Sequence, residues 1–67
     1  MATAGKTLKR ERTRALVTAT ALAARLGISR QTLWVIEQAA EVDPARVLAY
    51  RAALRDAKET TPEGNAA

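Results

Sequence analysis

Apolar residues recur along this chain with the period of an α-helix. Leu8, Arg12 and Ala15 fall at helical spacing, as do Leu22 and Leu26, then Leu33 and Ile36, then Val47, Tyr50 and Leu54. No stretch shows the period of two that a half-buried strand requires. Ala, Leu and Arg, all good helix formers, fill much of the remainder. The pattern predicts a compact all-α domain of four or five helices. Four can be placed, over about 7–15, 19–26 and 30–38, and from Pro44 to a frayed end near Lys58.

Punctuation residues support those boundaries. Thr18 has the chemistry of an N-cap, because its hydroxyl can accept from an amide of the next turn. Gly27 suits the left-handed position that ends a helix. Ile28 is apolar and expected to tuck into the core, and Ser29 caps the helix that follows. Asp43-Pro44 opens the last helix, with Pro in the first turn where its missing N–H costs nothing. Residues 1–6, "MATAGK", read as a flexible basic arm, and 7–58 as the folded domain. Residues 59–67, "ETTPEGNAA", read as a disordered tail.

Composition narrows the function classes. Hydrophobic residues make up 48% of the chain, but 16 of those 32 are Ala. A core this small is marginal without a staple or a partner. There is no Cys and no His, so disulfides are excluded and the usual zinc ligands are missing. No apolar run approaches the roughly 20 residues that span a bilayer. The stretch "ALVTATALAA" (15–24) weakly resembles a secretory signal, but "RLGISRQ" follows where a cleavage site belongs. A soluble protein of a reducing cytoplasm, in a bacterium or a phage-infected host, is the expectation.

Charge is unevenly spread. Residues 1–30 carry seven cations and one anion, a net +6; residues 31–67 carry four cations and six anions, a net −2, for +4 in all. A basic half on a chain of pI near 10.4 suits a polyanion binder, and equally a solvated basic helix.

The stretch "LAARLGISRQTLWVIE" (22–37) tips that balance. Two short helices joined by a three-residue turn containing Gly form a helix-turn-helix. At 100° per residue, Leu33 and Ile36 point inward. Gln31, Trp34, Val35 and Gln38 then point outward, with Arg30 on their flank. Arg and Gln at the exposed start of such a helix can reach guanine and adenine edges in the major groove. Trp34 has three readings: packing over the fourth helix with Tyr50, a dimer contact with Tyr50, or a DNA contact.

The segment "TATALAARLGISRQTLWVIE" (18–37) resembles the helix-turn-helix of the Cro and phage-repressor family, known as the Xre family. Thr18, Leu22, Ala23, Leu26, Gly27, Ile28, Ser29, Leu33, Ile36 and Glu37 fall in its register. Leu8, Arg12 and Pro44 extend the likeness to about residues 8–54. The resemblance implies a lambda-repressor-like fold and binding to double-stranded DNA. It implies a structural ion pair between Arg12 and Glu37, base contacts from Arg30, Gln31, Thr32 and Val35, and phosphate contacts at Thr18 and Ser29. The chain departs from the family pattern at Ala19, where a Gln is usual, at Val35, usually polar, and in the acidic loop "QAAEVD" (38–43). Lys6, Lys9, Arg10 and Arg14 are expected to supply the missing phosphate charge.

The function expected is a small Cro-like repressor that occludes its operator as a homodimer, formed in solution or only on DNA. An antitoxin, an excisionase-type factor, and a helical protein-binding module using Trp34 and Val35 are the alternatives. An amphipathic membrane peptide is weak, because the cations cluster at one end of the chain. Catalysis is not expected: Ser29 is the only serine, it is committed to a cap, and no base stands beside it. No cofactor, metal or small-molecule ligand is implied.

Overall fold

The computed structural model describes residues 2–60. Met1 and residues 61–67, and with them most of the expected tail, lie outside the described residues. Four helices follow one another: α1 (Gly5–Arg14), α2 (Ala19–Leu26), α3 (Arg30–Gln38) and α4 (Pro44–Thr60). Among the described residues the only extended pairing is a single antiparallel bridge between Thr3 and Val42. This is an all-α helix-turn-helix domain.

One core joins the helices. Leu8, Leu22, Leu33 and Tyr50, one from each helix, are fully enclosed, and Val17, Ala23, Ile36, Val42, Val47, Leu54 and Ala57 pack around them. Leu26 and Ile28 lie half-buried against this cluster. Burying a side chain of this size contributes about 1.5–3 kcal/mol, so a few such residues decide whether the domain folds.

The helix ends follow local chemistry. Thr18 Oγ1 accepts from the Ala21 amide at 3.1 Å, and Ser29 Oγ accepts from the Thr32 amide at 3.0 Å. Asp43 accepts from the Ala45 amide at 3.0 Å, just behind Pro44. Gly27 ends α2 at φ 71°, and the Ile28 amide donates back to Ala23 O. α1 ends in the same way, but the left-handed residue there is Leu16, at φ 62°.

The start of the chain departs from the expected flexible arm and from a helix beginning at Thr7. α1 begins two residues earlier, at Gly5, whose amide donates to Ala39 O at 2.8 Å; the Val42 amide donates to Thr3 O at 2.8 Å. Gly5 is buried where α1 crosses the end of α3. A Cβ there would run into the Ile36 carbonyl oxygen and lie 2.7 Å from the carbonyl carbon and oxygen of Glu37, so only glycine lets the two backbones approach. At the other end, Glu59 and Thr60 belong to α4, beyond the fraying expected at Lys58.

Candidate nucleic-acid interface

α3 is held by its inner side and offers its outer side to solvent. Leu33, Ile36 and Glu37 are buried, whereas Arg30, Gln31, Thr32, Trp34, Val35 and Gln38 are exposed. The Gly27 turn and the Ser29 cap set this orientation: α2 stops, the chain reverses in three residues, and the first turn of α3 emerges clear of the core. The Thr32 hydroxyl lies 2.9 Å from Ser29 Oγ, which holds its side chain at the helix start. Val35 remains 56% exposed, an unusual position for a branched apolar residue.

Beneath this face lies a buried polar network. Arg12 Nε donates to Glu37 Oε2 at 2.8 Å and Nη2 to Oε1 at 3.2 Å, while Nη1 donates to Val17 O at 3.0 Å. The pair therefore ties α1 to α3 and to the turn after α1. Pairing with Glu37 raises the Arg12 guanidinium above the usual arginine range, against the opposing effect of burial. Tyr50 supplies the third member. Its hydroxyl lies 2.7 Å from Glu37 Oε2 and 3.1 Å from Leu8 O, and its single proton is best placed toward the carboxylate. Burial, and then the bond to Glu37, push the phenol well above its ordinary pKa.

That network overturns the reading of Tyr50 as a dimer contact. The ring is fully enclosed and its hydroxyl is committed inside the domain, so no second copy can reach it. Trp34 likewise does not cover α4 beside Tyr50. It is 60% exposed and lines an open concavity of about 590 Å³ with Lys9, Thr18, Ala19, Thr20, Arg30 and Gln31, floored by Arg12 and Glu37.

The expected phosphate contacts divide. Lys9 and Thr18 share that concavity with Arg30, one of the expected base contacts, and Lys6 lies next to it, in a smaller recess between the start of α1 and the end of α3. Ser29 and Arg10 are exposed. Arg14 stands apart, in a recess with Glu11, Ala15, Leu54 and Lys58 on the α4 side. Glu11, the one acid of the basic half, is held by a two-pronged pair with Arg51, at 2.8 and 3.1 Å. It faces α4, away from the concavity. Among the described residues, the carboxylate that lines the concavity is the already paired Glu37.

Sequence reasoning missed the hydrogen bonds of Tyr50 and the place of Thr20 at this site, while it had Trp34 on the outward face with a DNA contact as one of three readings. Tyr50 falls on the inward stripe of α4 with Val47 and Leu54, and a buried phenol needs a polar partner; that spacing was the available clue. No group of acids that could hold a metal occurs among the described residues, and no described helix is long and apolar enough to cross a membrane. The helix-turn-helix domain family matches residues 4–61, nearly the whole chain. No match occurs among curated proteins or among solved structures.

Proposed function

Because the chain belongs to the helix-turn-helix domain family, we propose that it is a sequence-specific regulator that binds duplex DNA through α3. The observation that carries this reading is the division of labour on that helix. Leu33, Ile36 and Glu37 anchor it, while Arg30, Gln31 and Val35 are exposed on its outer side. In this reading Arg30 and Gln31 read purine edges by paired hydrogen bonds, Thr32 adds a hydroxyl, and Val35 meets a thymine methyl. Lys6, Lys9, Arg10, Thr18 and Ser29 hold the phosphates and set the register.

The regulator acts as a Cro-like repressor in the cytoplasm, excluding polymerase from an operator. One recognition helix spans too few base pairs for a unique site. Two copies on half-sites about 34–36 Å apart supply the rest. Selection of bound sequences from random duplex DNA tests the reading. The expected product is an inverted repeat with that spacing, and Arg30→Ala combined with Gln31→Ala abolishes the preference while leaving salt-sensitive non-specific binding. Enrichment of no sequence, or an unchanged preference in the double variant, overturns it. Sedimentation on the selected site is expected to give two chains per duplex; a strictly 1:1 complex removes the dimer.

A further inference from the structure

Trp34 is the only tryptophan in the chain, and the core makes no use of it. Its position on α3 is distinct from that of Gln31 and Val35. Gln31, Val35 and Gln38 cluster at the centre of the outward face, while Trp34 lies at its edge, about one turn from Arg30 and on the same side as Glu37. That edge faces α1 and the start of α2, where the indole shares its concavity with Lys9, Thr18, Ala19, Thr20 and Arg30.

The surroundings specify the occupant. Lys9 and Arg30 make the rim cationic, and neither has an ion-pair partner among the described residues. The carboxylate on the floor, Glu37, is already bound by Arg12 and Tyr50. The ligand that fits is an anion with apolar surface beside it. Ala19 ends in a methyl, so no side chain of α2 at that position competes for the space Trp34 overlooks. An indole has an apolar face and one donor, Nε1–H, with no acceptor. Deoxyribose next to a phosphate oxygen matches it on both counts, whereas an apolar partner helix would set its side chains against two cations.

We propose that Trp34 is a DNA-backbone contact. Its ring lies on the sugar–phosphate chain and its Nε1–H donates to a phosphate oxygen. The proposal rests on the DNA-binding reading above, and the two are tested by separate readouts. Binding is followed by the anisotropy of a labelled duplex, and Trp34 by its own emission and its access to acrylamide.

In the complex, acrylamide quenching is expected to fall. Trp34→Ala is expected to weaken binding about tenfold or more, the scale of a lost hydrogen bond to a charged group. The loss should be equal for all sequences and leave the salt slope unchanged, because no cation is removed. Trp34→Phe, which keeps a ring without the donor, should fall between. Since the side chain is mostly exposed, circular dichroism of both variants should match the wild type. Duplex binding with Trp34 still open to acrylamide would overturn the backbone contact while leaving the DNA reading intact. So would an unchanged affinity of Trp34→Ala, an altered order of preferred sequences, or protection that rises with protein concentration in the absence of DNA. No duplex binding at all would overturn both.

Discussion

Leu16 and Gly27 occupy the same position in two successive helix ends. Each is the left-handed residue after its helix, at φ 62° and 71°. In each case the next amide reaches back five residues, Val17 to Arg12 O and Ile28 to Ala23 O, at 3.2 and 3.0 Å. Glycine adopts this conformation without strain; an L-residue with a Cβ does so at a cost of roughly 1–2 kcal/mol. Leu16 recovers little of that by packing, since it is 89% exposed. The following residue, Val17, is the one that enters the core.

Leu16→Gly is therefore expected to stabilise the domain by about 1 kcal/mol, a rise in Tm of roughly 4–8 °C for a domain of this size. Gly27→Ala is expected to cost a similar amount through the backbone alone, because a Cβ there meets nothing within 4 Å. Urea unfolding of the two variants measures both. Destabilisation by Leu16→Gly would mean that the leucine has a stabilising contact absent from this fold.

Gly5→Ala tests a different constraint. The nearest obstacle is the Ile36 carbonyl oxygen, with the Glu37 carbonyl beside it, and both are backbone that cannot rotate away. α1 must shift off α3, weakening the Gly5–Ala39 hydrogen bond and disturbing the Arg12–Glu37 pair. A loss of about 1–3 kcal/mol is expected, the usual cost of overpacking. A neutral effect in thermal unfolding would show that the two backbones have slack.

Tyr50 gives the stability a dependence on alkaline pH. Its folded-state pKa is raised above the ordinary 10.0, chiefly by burial, so the folded protein holds the phenolic proton more tightly than the unfolded chain does. The contribution is intact below pH 10 and is lost as pH rises through the folded value. Tyr50→Phe is expected to cost about 1–3 kcal/mol at neutral pH, because it leaves a buried carboxylate one donor short. That gap should narrow above pH 10. Urea midpoints from pH 7 to 11 would show it, and a constant gap would rule out a buried, proton-donating phenol.

Lys9 and Arg14 separate position from charge. Both are cations of α1, but only Lys9 lines the concavity with Thr18 and Arg30. Lys9→Ala is expected to lower the log–log salt slope of DNA binding by about 0.9, one phosphate contact. Arg14→Ala should change it less. Equal effects would indicate that α1 acts through net charge alone.

The hydrophobic period, the Thr18 and Ser29 caps, the Gly27 turn and Asp43-Pro44 were enough to place three helix starts and the helix-turn-helix itself. The reason is that these features act through neighbours within about five residues. The Arg12–Glu37 pair, 25 residues apart, was legible through family likeness, not through spacing. Tertiary packing decided the rest. It turned Gly5 from part of a loose arm into a crossing point between helices, and of the two places open to Tyr50, the inner side of α4 that its spacing gives and a dimer interface, it chose the first. It also placed Trp34 beside Lys9 instead of over α4. In each case the outcome depends on which distant backbone or charge comes within a few ångströms, and no local rule carries that information.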